Sequence, residues 1–266
     1  MSGAATDDPV AARSAALAGF FTGVMRRQVR RNFRALRMAR PGLPDLPAQA
    51  PLILYANHPS WWDPAVFIVL ADALFPARPG FGPMDADALE RYRFMRRIGI
   101  FGVDRGTRAG AARFLRTGAH VLADPTRMLW ITGQGNFTDA RARPVHLQPG
   151  VAHLVARVPG AVAVPLALEY PFWSEKKPEA LVAFGAPVKA AGRRARALAT
   201  VLDHALEATQ DDLAERAVAR DPAGFVRLLG GRAGVGGPYG AWLAFRAMLS
   251  GRSRDPDHLP EPGRPS

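Results

Sequence analysis

Short apolar runs alternate with longer helical stretches through most of this chain, and that alternation limits its fold more than any other feature. Residues 52–56, 99–103, 128–132, 162–168 and 181–184 are compact runs of apolar and often β-branched or aromatic side chains, with the length and composition of buried strands. Residues 65–74, 109–123, 151–157 and 195–219 read as helices between and after them. In the last of these, Leu198, Val201, Leu202, Ala205 and Leu206 lie near one face, so the helix is expected to cover a sheet. Strands that alternate with helices predict an α/β fold, a mixed, largely parallel sheet flanked by helices. The 266 residues, 48% of them hydrophobic, are enough to bury a core and still build a ligand cleft. No internal repeat interrupts the pattern.

Charge divides the chain differently. No acidic residue falls between Pro9 and Pro44, while Arg13, Arg26, Arg27, Arg30, Arg31, Arg34, Arg37 and Arg40 all do. Phe21, Met25, Val29, Phe33 and Leu36 recur at spacings of three and four, which predicts a basic amphipathic helix. Two readings are open: the apolar stripe lies in a lipid headgroup region with the arginines against anionic lipid, or it packs on the protein's own core. Pro41, Pro44, Pro47 and Pro51 break the helix, so the expected organisation is a membrane-association segment (1–44), an α/β domain (45–225) and a C-terminal segment (226–266). In that last segment 230–240 is glycine-rich, 241–249 a short amphipathic stretch and 252–266 a disordered tail.

A formal charge of +12 calls for an anionic partner: nucleic acid, a membrane surface or an anionic substrate. Only Lys176, Lys177 and Lys189 are lysines, so the excess is almost wholly arginine. Concentration of the charge in one helix argues against a nucleic-acid-binding module. Apolar stretches fall short of the roughly 20 residues that span a bilayer. With Asp7 and Asp8 ahead of the apolar patch, a secretory signal is not expected either. The expected location is the cytoplasmic face of a membrane, held peripherally or monotopically.

The absence of cysteine removes thiolate nucleophiles and cysteine-bound metals. His120, His146, His153, His204 and His258 are scattered without ligand spacing, Asp85 and Asp87 are two acids in a loop, and no metal is expected. The chain has no Gly-x-Ser-x-Gly elbow and no phosphate-binding loop ending in Gly-Lys-Ser/Thr.

The segment that carries chemistry is Asn57-His58-Pro59-Ser60-Trp61-Trp62-Asp63-Pro64, at a strand-to-helix junction. Such a turn can return the carboxylate to the imidazole, fixing one tautomer and stabilising the imidazolium formed when the other nitrogen takes a proton. On spacing alone, helix capping by the same residues is equally open. Trp61 and Trp62 could line an apolar tunnel or a membrane-facing rim, or pack in the core.

This segment resembles the first motif of the glycerolipid and lysophospholipid acyltransferase superfamily, asparagine-histidine, four residues, aspartate. Gly99-Ile100-Phe101-Gly102-Val103-Asp104-Arg105 resembles the second. The third, usually Phe-Pro-Glu-Gly-Thr-Arg, is degraded to Ile131-Thr132-Gly133-Gln134-Gly135-Asn136: Gly135 matches, Gln134 replaces the glutamate and the arginine is absent. Arg141 and Arg143 are near enough in sequence to replace the lost charge. Val162-Ala163-Val164-Pro165-Leu166-Ala167-Leu168 approximates the fourth motif, and its proline suggests an edge, bulge or cleft wall.

The resemblance runs from about Leu52 to Val188 and implies a glycerol-3-phosphate acyltransferase-like fold. It implies single-step transfer from acyl-coenzyme A or acyl carrier protein to a lipid hydroxyl, such as that of a 1-acylglycerol-3-phosphate, with neither cofactor nor covalent enzyme intermediate. His58 is then the general base, Asp63 its orienting partner and Arg105 the anchor for an anionic group of the acceptor. Asn57, Ser60, Gly133, Gln134, Gly135 and Pro165 would face the substrates, with backbone amides near Gly133 and Gly135 opposing the oxyanion. A non-catalytic, membrane-associated protein that kept the fold is the remaining alternative.

Overall fold

The computed structural model describes residues 8–231. Residues 232–240 of the glycine-rich stretch, the 241–249 amphipathic stretch, the 252–266 tail, Asp7 and His258 lie outside the described residues.

Among the described residues nine strands form one sheet: β1 (Ala35–Ala39), β2 (Leu52–Ala56), β3 (Gly80–Asp85), β4 (Ile100–Val103), β5 (Met128–Thr132), β6 (Val162–Glu169), β7 (Ala180–Phe184), β8 (Val188–Lys189) and β9 (Phe225–Gly230). Their order is β4-β3-β5-β2-β6-β7-β1-β9, with β8 beside β6. The run β4-β3-β5-β2-β6 is parallel throughout, β7 reverses against β6, and β9 reverses against β1. This is the expected mixed, largely parallel sheet. β2 lies at its centre, Leu52 facing Met128 on one side and Val162 on the other.

Because side chains alternate along a strand, the sheet feeds two cores. Leu52, Leu54, Met128, Trp130, Val162 and Val164 pack with Val66 and Leu70 of α3 (Asp63–Leu74) and Val29 of α2 (Ala15–Asn32). Ile53, Tyr55, Leu129, Ile131 and Ala163 pack on the opposite side with α5 (Arg108–Leu122), α6 (Gly150–Arg157) and α7 (Ala195–Ala219). Leu198, Leu202, Leu206 and Leu213 of α7 recur on one buried face, as a sheet-covering helix requires. Two short helices, α1 (Pro9–Ala12) and α4 (Ala86–Arg91), complete the layers.

The N-terminal segment departs from expectation. Ser14 caps α2, its Oγ accepting from the Leu17 N–H at 3.3 Å, and the helix ends at Asn32. Phe33 is its C-cap, and Leu36 lies in β1, a strand buried at every position. The apolar stripe is not free for lipid: Met25, Val29 and Phe33 pack against the core shared with α3. What α2 exposes is Phe20 near its start and Arg27, Arg30 and Arg31 near its end. Arg37 is buried in β1 rather than solvated, its Nε donating to Glu179 Oε2 at 3.0 Å and its guanidinium over the Trp173 ring. β1 lies before residue 44 and β9 begins at residue 225, so both flanking segments contribute strands to the sheet. Among the described residues no helix is long and apolar enough to cross a membrane.

Candidate active site

The carboxyl ends of parallel strands leave unpaired backbone groups and open onto the loops before the following helices, which is where α/β sheets bind ligands. The motif residues converge there. β2 runs into Asn57 and His58, β5 into residues 133–138, β6 into Glu169 and Tyr170, β4 into Asp104 and Arg105, and β3 ends at Asp85.

Asn57 is fully buried and extends the β2–β6 ladder with its side chain: Nδ2 donates to the Leu168 carbonyl at 3.0 Å and Oδ1 accepts from the Leu168 N–H at 2.8 Å. Both polar ends are committed to backbone, so Asn57 fixes the exit of β2 and does not face a substrate. The chain turns at Ser60, whose Oγ accepts from the Trp62 N–H and whose carbonyl accepts from the Asp63 N–H, and this turn is the work of its polar groups. Asp63 then opens α3 with Pro64 behind it, a position where the helix dipole favours a carboxylate and proline loses no helix bond.

The turn closes the pair foreseen from spacing. His58 Nδ1 lies 2.6 Å from Asp63 Oδ2. Asp63 is wholly buried while the His58 side chain keeps 17% of its surface, so the carboxylate is dry and the imidazole reaches the opening. Oδ2 also accepts from the Ser60 N–H at 3.3 Å, and Oδ1 accepts from the Tyr170 hydroxyl at 2.7 Å. Burial pushes the Tyr170 phenol well above its ordinary value, and the neighbouring Asp63 charge and hydrogen bond push it further, so Tyr170 stays protonated as a donor.

The loop after β5 straps His58 in place. Gln134 Oε1 accepts from the His58 N–H at 3.0 Å, and the Thr138 N–H donates to the His58 carbonyl at 2.9 Å. Phe137 lays its ring against the imidazole, centroids 4.3 Å apart. Gln134 is therefore a buried anchor for the His58 backbone, and an amide oxygen makes that bond without placing a charge indoors. Gly135, at φ +76°, occupies left-handed backbone that favours glycine. Gly133 is held for space, since a Cβ there would come 2.5 Å from Leu147 Cδ2. The Gly133 N–H donates to the Ala56 carbonyl at 2.8 Å and the Gly135 N–H to Thr132 at 3.2 Å, so neither amide is available to an oxyanion.

Arg105 lies across the same loop. Its Nε donates to Asp85 Oδ2 at 3.1 Å, and Nη1 donates to the Gly135 carbonyl at 2.6 Å and to Asn136 Oδ1 at 3.3 Å. Arg105 thus ties the second motif to the third. Asp85 caps α4 through the Ala88 N–H, and that bond, followed by Arg105, holds its carboxyl below the ordinary value. Both of its oxygens are engaged, one by the Ala88 N–H and the other by Arg105. Arg141 forks onto Asp139, holding that carboxyl well down, and Arg143 binds Asp211 and the Ala140 and Ala142 carbonyls.

Pro165 lies inside the sheet between β2 and β7, not at an edge. It sits where the neighbour of β6 changes from β8 to β7, and its carbonyl accepts from the Gly185 N–H at that gap. A residue's N and O point the same way in a strand, so the missing N–H faces the gap and leaves the β2 ladder intact. Trp62 packs on Phe33, ring centroids 5.1 Å apart. Trp61 at 76% and Phe137 at 62% remain exposed beside the polar pair. Tyr170 and Phe137 had not been singled out from sequence; the one available signal for Tyr170 was its place directly after a buried strand.

The α/β sheet thus carries, at the carboxyl ends of its parallel strands, an imidazole strapped against a buried carboxylate. Residues 38–169, about half of the chain, match the family model described as Acyltransferase, and every motif described above falls within that span. The chain belongs to this family, in the glycerolipid acyltransferase superfamily, and acyl transfer is its class of chemistry. None of the curated proteins compared matches it.

Proposed function

We propose that the protein moves a fatty acyl group from acyl-coenzyme A or acyl carrier protein to the hydroxyl of a lysophospholipid or related lipid at a membrane surface. The single observation behind this reading is the 2.6 Å contact between His58 Nδ1 and a fully buried Asp63. With Nδ1 held, the neutral tautomer leaves Nε2 as the base. Nε2 takes the acceptor hydroxyl proton as that oxygen attacks the thioester carbonyl carbon; the tetrahedral intermediate then expels the thiolate, which recovers the proton from the imidazolium. No enzyme-bound acyl group is required.

The exposed Trp61 and Phe137 beside the pair support a substrate with apolar chains, and the exposed Phe20 with Arg27, Arg30 and Arg31 supports peripheral contact with anionic lipid on a cytoplasmic leaflet. The intact pair favours a working enzyme over a non-catalytic member of the family. Incubating the protein with mixed acyl-coenzyme A and total lipid extract, and finding by mass spectrometry which lipid gains an acyl group, identifies donor and acceptor together. Product must disappear with a folded His58→Ala variant, and undiminished product from it would remove the mechanism.

A further inference from the structure

Asp63 uses its two oxygens for different partners. Oδ2 serves His58 Nδ1 and the Ser60 N–H, both from the same turn, whereas Oδ1 serves only Tyr170, which arrives from the far end of β6 across 107 residues. The Tyr170 ring is itself held, packed 5.4 Å from the Phe33 ring at the C-cap of α2. A carboxylate free on one side can rotate about its last bond; a second donor on the other oxygen fixes its plane and delocalises its charge toward that donor.

We propose that Tyr170 is a positioning residue for the His58–Asp63 pair, aiming Oδ2 at the imidazole and setting the proton affinity of that pair through its bond to Oδ1. This role rests on the reading of His58 as base. A carboxylate that loses one donor binds the imidazolium proton more strongly, so removing the Tyr170 hydroxyl raises the pH at which His58 becomes neutral. Catalysis needs the neutral imidazole, and the acid limb of kcat/KM therefore moves to higher pH.

Other charged groups are carried by the elements that meet at the pair. From the loop after Phe137 come Asp139 and Arg141, paired with each other, and from the end of β6 comes Glu169. Beyond Gly135 lie Arg105 and Asp85, also paired, and beside Phe33 lies the buried Arg34. His58 and Asp63 make their side-chain hydrogen bonds with each other, Ser60 and Tyr170.

The test compares wild type with Tyr170→Phe, which keeps the ring against Phe33. The His58 midpoint is followed by NMR of its ring Hε1, identified by its loss in His58→Gln, and kcat/KM is followed against pH. The expected result is a rise in both midpoints of roughly half to one pH unit, with the alkaline plateau of activity lowered less than about tenfold. In an Asp63→Asn background, Tyr170→Phe should move the midpoint no further. Should Tyr170→Phe fail to fold, 3,5-difluorotyrosine placed at position 170, a stronger donor, should move the midpoint down instead.

A midpoint within about 0.2 unit of wild type in Tyr170→Phe, or unmoved by the fluorinated residue, overturns the proposal even if acyl transfer persists. A shifted NMR midpoint in a protein that transfers no acyl group retires the function and leaves the coupling standing.

Discussion

Replacing Asp63 with asparagine removes one negative charge from the site while keeping the shape of the side chain. The Ser60 N–H and the Tyr170 hydroxyl both point donors at this position, so an asparagine oxygen can satisfy only one side. If the oxygen faces Ser60 and His58, the imidazole keeps its tautomer but loses the charge opposite the developing imidazolium. If the NH2 group faces His58, the tautomer reverses and Nε2 carries the proton it should accept. The milder case sets the magnitude: unit charges about 4 Å apart interact by roughly 4 kcal/mol at an effective dielectric constant near 20. At about 1.4 kcal/mol per decade, kcat should fall on the order of 10³-fold, with KM for either substrate little changed. The assay is steady-state thiol release from acyl-coenzyme A in the presence of the acceptor found by mass spectrometry, on protein whose melting curve shows it folded. A kcat within about tenfold of wild type would refute the claim that the buried carboxylate stabilises the charged base.

Asn57→Ala strands the Leu168 N–H and carbonyl inside the sheet, so stability should fall by about 2–5 kcal/mol and the melting temperature by roughly 5–15 °C. KM should hold, whereas a substrate-binding Asn57 would raise KM and spare stability. Glu179→Ala leaves the buried Arg37 charge without its carboxylate and should destabilise by about 3–5 kcal/mol, measured by urea unfolding. The double change Arg37→Met with Glu179→Leu should recover most of that loss, because the uncompensated charge goes too. On the membrane proposal, Arg27, Arg30 and Arg31 changed together to glutamine should weaken sedimentation with anionic vesicles roughly 100-fold at low salt, at about 1 kcal/mol per arginine, and unchanged binding would remove α2 as the contact. Deletion of residues 1–40 is not the equivalent experiment, since it takes β1 out of the sheet.

Local pattern carried far into the fold where an element could be recognised from its own residues. β2 and β5 begin and end where their apolar runs do, and α7 follows its leucine spacing. β1 misled because Phe33 and Leu36 continue the helical spacing of Val29. A five-residue strand buried on both faces has no alternation to contradict that spacing, and only the partners β7 and β9 make it a strand. β3 was illegible for a different reason: Gly80, Gly82 and Pro83 are poor strand formers, and the position between β5 and β4 overrides them.

The sequence by itself determined the α/β class and offered the His58–Asp63 pair, because both depend on residues close along the chain: an alternation of periods, and a turn of a few residues between an imidazole and a carboxylate. The tertiary structure alone decided what surrounds that pair. Gln134 lies 76 residues from His58 and Tyr170 lies 107 from Asp63, and only the order of strands in the sheet sets β5 and β6 on either side of β2. It also gave Asn57, the Gln134 side-chain oxygen and the amides of Gly133 and Gly135 partners within the fold. Hydrogen-bond capacity is finite, and which partner claims a donor or acceptor first depends on neighbours that no local reading contains.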